Sequence, residues 1–301
     1  MATIYDRLVL AKIEVTKGTD PTPAPASDAV RCRSVTVTEG QTNLDRAVVK
    51  QTMGNLAHVI GKQTLQAEIV CELRGSGAAG TAPEWGPLMQ ACRTVETVTP
   101  ATSVAYAPST ATENSVTIYV YKDGLLKLVG SVGTFTLSAD ADGIPIITFT
   151  MQAPYVAPTA TAVPGGAAYD ATQPLVLKSS DTFSDGAAVK VSTFTLDAGN
   201  DVQEHYTTGN HEFVVANRAP SLTFTKDSVN TAAEWTALVA GTDAVMQSVI
   251  GATAGNIATV DAPVGRRQSV AYSERAERDT LDVTYMLYES TSDDQWTITL
   301  T

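Results

Sequence analysis

Nine residues beginning at Thr81, TAPEWGPLM, return in altered form as TAAEWTALV beginning at Thr231. A phrase written twice constrains the fold more tightly than any bulk property, because each copy of a diverged tandem repeat must build the same local structure. Thr81 with Glu84, and Thr231 with Glu234, stand in the Ser/Thr-x-x-Glu arrangement of a capping box, where hydroxyl and carboxylate each take an orphan amide at a helix start. Behind the first box, Trp85, Leu88, Met89 and Cys92 fall at i, i+3, i+4 and i+7; behind the second, Trp235, Leu238 and Val239 fall at i, i+3 and i+4. The spacing predicts one short amphipathic helix per copy, too short to stand alone and therefore docked on something larger. Pro83 suits a first turn, whereas Pro87 limits how far the first helix runs.

Other pairs follow in the same order. LVL at Leu8–Leu10 faces LVL at Leu175–Leu177; AVRCRSVTVTEG from Ala29 faces AVKVSTFTLDAG from Ala188; GNLAHVIG from Gly54 faces GNHEFVVA from Gly209. The spacing between partners shrinks steadily along the chain, as expected when a second copy carries shorter loops. Two homologous domains are expected, residues 1–157 and 174–301. A linker at 158–173 lies in the Pro-, Ala- and Gly-rich stretch APYVAPTATAVPGGAAYDATQP.

The chain's 301 residues suffice for two ordinary cores, and 44% hydrophobic with 17% charged residues describes a globular protein. Outside the two helices, alternation dominates: RSVTVTEG, TLQAEIVCEL, GTFTLSADADGIPIITFTM, VSTFTLDAG, PSLTFTKD and TLDVTYMLY are β-branched or aromatic with period two. Asp123-Gly124 and Asp142-Gly143 mark hairpins. The chain therefore reads as mainly β, in antiparallel sheets, with one short α-helix per domain. No apolar run approaches the roughly 20 residues that span a bilayer, and the first residues offer no export signal. Cys32, Cys71 and Cys92 are odd in number and read as buried thiols rather than a disulfide framework. A net charge of −12 argues against gripping a phosphate backbone.

Two segments break the alternation, residues 14–30 and 40–62. Val48, Val49, Met53, Leu56, Val59 and Ile60 in the second need burial somewhere, and if their own domain does not supply it a neighbour must. The second copy carries a comparable stretch that includes Phe213 and Val214. Gly75–Gly80, GSGAAG, fits a dinucleotide-loop pattern, but its preceding strand alternates polar and apolar residues and the second copy reaches its helix without glycines. A connection is expected there. No catalytic, metal or cofactor pattern emerges, and an enzyme is not expected.

Taken in order, LVLAKIEVTKGTDPTPAPASDAV, ELRGSGAAGTAPEWGPLMQAC, ENSVTIYVYKDGLLKLVGSVGTF and ADGIPIITFTMQAPYVAP resemble the major tail tube protein of long, noncontractile bacteriophage tails. The resemblance implies a β-sandwich with a flanking helix, here in two tandem copies, whose inner sheet joins those of neighbours around a hollow barrel. Residues 14–30 and 40–62 would be the arms through which rings stack. It further implies a virion tail component made in the host bacterial cytoplasm, with the tail terminator, tape measure and distal tail proteins as partners. DNA would pass through the lumen without specific binding, no cofactor would be needed and no membrane would be involved. Two tube domains per chain would close a pseudo-sixfold ring from a trimer. The competing readings are a decoration or baseplate protein of the virion, and a surface adhesion or carbohydrate-binding module.

Overall fold

The computed structural model describes residues 7–178, 182–185, 188–227 and 231–301. Its first half holds β1 (Leu8–Ile13), β2 (Ser34–Leu44), β3 (Val59–Glu72), α1 (Gly86–Gln90), β4 (Thr94–Thr99), β5 (Ser103–Pro108), β6 (Val116–Tyr121), β7 (Leu125–Asp140) and β8 (Ile146–Pro154). The second half holds β9 (Thr182–Asp185), β10 (Ala188–Val189), β11 (Val191–Asp197), β12 (Asn200–Thr207), β13 (Asn210–Arg218), β14 (Ser221–Asp227), α2 (Thr231–Ala240), β15 (Asp243–Thr253), β16 (Asn256–Arg275), β17 (Arg278–Leu287) and β18 (Thr297–Leu300). The fold is mainly β, and the paired strands run antiparallel.

Period-two sequence becomes period-two burial. In β8, Ile147, Phe149, Met151 and Ala153 are fully buried while Thr148, Thr150 and Gln152 look the other way. Eight strands lie side by side in the order β2-β3-β8-β7-β11-β14-β17-β16. The two long strands each serve two layers. Residues 125–131 of β7 pair with β6, and 132–140 pair with β8 and β11. Likewise residues 256–266 of β16 pair with β15, and 265–275 pair with β17. Aromatic contacts fill the space between layers: Phe183 to Phe224 at 4.8 Å, Phe135 to Trp296 at 5.1 Å, and Phe224 stacked on Tyr285 at 5.6 Å. One continuous core runs from Val9 to Leu300, and β18 ties the halves by pairing with β16 on one side and β5 on the other.

Several segments singled out in the sequence take a definite place in the fold. Residues 14–30 are held by their own chain. The buried carboxylate of Glu14 accepts from Ser115 Oγ at 2.7 Å, Thr117 Oγ1 at 2.5 Å and the amides of Gly18 and Gly130 at 2.7 Å each. Asp20 meets Tyr119 and Lys127. The two LVL phrases take different places. Leu8–Leu10 lie in β1 against β6, whereas Leu175–Leu177 run outside any strand, tied to Leu73 and Gly143. By pairing, β9 on β15 occupies the station of β1 on β6. Residues 158–173 are fastened along the first half: Thr159 bridges to Leu125, Ala168 donates to Pro25 O, and Val163 packs against the small cluster that holds Leu8, Leu10, Tyr119 and Tyr121. The glycine loop is a joint. Gly77 N donates to Gly255 O at 3.0 Å and Gly75 N to Asn256 Oδ1 at 2.8 Å, and a Cβ on Gly75 would meet Gly255 O at 2.3 Å.

Candidate assembly surfaces

The eight-strand sheet has one face on the core and one lined by small polar groups. The row Ser138–Thr195–Thr223–Thr284–Ser269 and its neighbour Asp140–Thr193–Thr225–Asp282–Ala271 carry hydroxyls and carboxylates and no basic group. Hydroxyls bond across strands: Thr193 to Thr225 at 3.0 Å, Thr223 to Thr284 at 3.1 Å, Thr225 to Asp282 at 2.5 Å and Ser273 to Thr280 at 2.8 Å. The signal for this face was in the sequence as threonine at every second place in SVTVTEG, GTFTLS, ITFTM, STFTLD and LTFTK. Threonine suits strands by its branching and water by its hydroxyl, and sequence reasoning registered only the first property.

Both rows cross a seam inside the chain. β11 pairs with β7 from Thr193 opposite Asp140 to Asp197 opposite Thr136, and Phe194, Leu196, Leu137 and Ala139 are buried beneath it. Beyond β11, Asn200 Nδ2 donates to Cys92 O at 2.7 Å, just past α1, and to Gly133 O at 3.0 Å. The β12–β13 hairpin then folds over the first half. Lys62 pairs with Glu204, Lys17 with Glu212 at 3.3 Å, and Phe213 is buried within the chain while Val214 is half-buried. Burial alone would raise the Glu204 pKa, but bonds from Lys62 and His211 outweigh it and hold the carboxyl below its ordinary value.

At the two ends of this sheet, margins stand open among the described residues. β2 pairs with β3 on one side only, and residues 267–275 of β16 pair with β17 on one side only. The segment between β2 and β3 is exposed. Val49 and Met53 are fully accessible, and Val48, Leu56, Val59 and Ile60 are open as well.

The two tryptophan phrases diverge. Trp85, Leu88, Met89 and Cys92 are buried as a stripe, with Trp85 Nε1 donating to Arg74 O at 3.2 Å and its ring 5.2 Å from Tyr106 of β5. The helix starts one turn later than the capping pattern predicts, with Trp85 at its N-cap and no side-chain cap. Pro87 needs no donor there, and the Glu84 carboxylate is engaged by Arg74 and by the amides of Arg31 and Asp170; Thr81 lies in the preceding turn, its amide on Ala78 O. α2 does begin at Thr231, whose side chain lies outside the described residues. Glu234 turns to Lys226 and to Arg267 at 2.8 Å. Leu238 is half-buried, but Trp235 is 40% exposed and Val239 87%. The reason is an omission: the second half passes from α2 directly to β15 and has no counterpart of the β4–β5 hairpin that covers Trp85. Among the described residues the aromatic ring beside Trp235 is that of Tyr272, at 6.4 Å, and Tyr272 is itself 63% exposed.

The arrangement combines open sheet margins, rows of hydroxyls and carboxylates on one face, and an exposed apolar segment. Among the described residues no group of three or more His, Cys, Asp and Glu is placed to hold a metal ion, and no helix is long and apolar enough to cross a membrane. No curated protein matches the chain. A family model described as phage tail tube protein matches residues 5–286.

Proposed function

Because this chain belongs to the phage tail tube protein family, a structural component of the virion tail, we propose that three copies close into a ring whose stacked repeats form the conduit for DNA. The single observation that carries the reading is the β7–β11 seam. It joins two similar blocks of four strands, β2-β3-β8-β7 and β11-β14-β17-β16, edge to edge within one molecule. We read the blocks as tandem tube domains, residues 1–157 and 174–301, with the fastened segment 158–173 between them. The open β2 edge and the open end of β16 are then the same pair of margins, one chain apart. Head-to-tail repetition of such a contact closes into a ring when the rotation permits, and it removes the unpaired edges that a soluble strand otherwise exposes.

The face of threonines and acids would line the bore. Carboxylates repel phosphates and hydroxyls hold no counter-charge, so DNA slides rather than sticks. Such a role needs no catalytic group or cofactor. The tail terminator, tape measure and distal tail proteins are the expected partners at the ends and in the bore. Electron microscopy of assembled protein tests the symmetry: end-on views should give six lobes modulated threefold. Six identical lobes, or solid filaments, would overturn the trimer.

A further inference from the structure

The internal seam is a template for the seam between copies, and it fixes a register. The deduction rests on the tube reading above. Corresponding positions follow from pairing alone. Gly40 faces Thr64 as Gly199 meets Ala219, and Ser34 faces Val70 as Thr193 faces Thr225. Ile69 faces Phe149 as Phe224 faces Val283, and Phe149 faces Phe135 as Val283 faces Val270. Thr36 therefore corresponds to Thr195, and Ser273 to Ser138. Within the chain, Thr195 stands opposite Ser138.

We propose that the β2 edge of one copy pairs antiparallel with residues 271–275 of β16 in the next copy, Thr36 opposite Ser273, and that Gln41 of the incoming copy closes the carbonyl end of α2. Three local features fit this occupant. Val37 comes opposite Tyr272, where the internal seam sets Leu196 opposite Leu137, so the exposed Tyr272 and the Trp235 beside it gain an apolar cover. Thr36 extends the hydroxyl ladder already carried on that side by the Ser273–Thr280 bond. Gln41 corresponds to Asn200, since Gln41 faces Gln63 as Asn200 faces Arg218. Its amide would then meet the carbonyls of Thr242 and of the Arg267–Gln268 bulge, the counterparts of Cys92 and Gly133. The arm that follows is led across the next copy's β16 and β17, as β12 and β13 are led across β7 and β8. The root of the arm thus runs sideways within a ring before its tip leaves it.

Cysteine pairing reads the register. In a Cys32→Ser background, tubes carrying Thr36→Cys with Ser273→Cys should oxidise to covalent trimers on a non-reducing gel, because opposite residues lie within disulfide reach. Thr38→Cys with Ser273→Cys, displaced by two residues, should cross-link poorly. Intact tubes that link only the displaced pair, or neither, overturn the register and leave the tube reading standing. Wild-type protein supplies a second measurement: hydrogen exchange in 34–44 and 267–275 should slow by about tenfold or more on assembly, and unchanged exchange overturns the seam. Gln41→Ala should raise the critical concentration for assembly about tenfold, with Gln41→Asn restoring part of it; an unaltered threshold removes the cap. Wild-type protein that forms no hollow tubes at all sinks the tube reading itself.

Discussion

Trp85 and Trp235 hold the same place in a repeated phrase and live in opposite surroundings. Trp85→Ala should cost about 3–5 kcal/mol in chemical denaturation of the unassembled protein, since it empties a closed site. Trp235→Ala should cost under about 1 kcal/mol in the same experiment and be felt only on assembly. The pattern i, i+3, i+4 was legible for both, but periodicity names a face and not what covers it; the cover for Trp85 comes from Tyr106, a non-local contact. Glu14 was equally hidden, because nothing around it in sequence announces Ser115, Thr117 and Gly130. Glu14→Ala leaves those donors without their acceptor and should destabilise by roughly 2–4 kcal/mol, measured as a lower urea midpoint. Glu234 gives a pH signature. Burial would raise its pKa, yet bonds from Lys226 and Arg267 prevail and lower it beneath the ordinary 4.5. Its contribution is therefore complete above about 4.5 and is lost as acidity passes the folded value. Tryptophan fluorescence should report α2 loosening on that acid limb, and Glu234→Gln should flatten the response.

At the scale of elements, the turns with a local chemical cause were the readable ones. Asp123-Gly124 joins β6 to β7, and Asp142, at φ +62°, turns with Gly143 between β7 and β8. The charged stretch around Arg275–Arg278 is an exposed hairpin, as its composition suggests. Its two tip residues, Ala276 and Glu277, both have positive φ, at 50° and 60°, where neither side chain is at ease. Replacing them with Asn-Gly should stabilise the monomer by roughly 0.5–1 kcal/mol, read as a shift in thermal midpoint. β4, β5, β15 and β16 escaped because short or bulged strands blur the alternation; Gly265 marks the bend in β16, where a Cβ would meet Met246 Cε at 2.1 Å. Of the two segments read as arms, 14–30 hides a carboxylate network that composition cannot express. The stretch from Asp45 to His58 is exposed throughout, although its apolar residues ask for burial. Leu56→Asp with Ile60→Asp should leave monomer stability within about 0.5 kcal/mol of wild type while abolishing filaments in negative stain.

At the scale of the molecule, the mainly β class and its antiparallel sheets were legible. The tie between halves was not, because β18 reaching β5 is a pairing no local pattern encodes. The charge balance and the threonine rows set the last test. Glu68 and Thr223 correspond across the two blocks, so Glu68→Lys with Thr223→Lys would place six added cations around the proposed bore of three chains. Tubes of this variant should retain double-stranded DNA at low ionic strength and release it as salt rises, while wild-type tubes should pass it. The fusion of β7 to β11 on one polypeptide carries a kinetic consequence. Two partners strung on a single backbone meet at an effective concentration fixed by their tether rather than by how much protein the cell has made. In the ring proposed above, half the joints would then be complete before any molecule meets another, and dilution would slow only the remaining half.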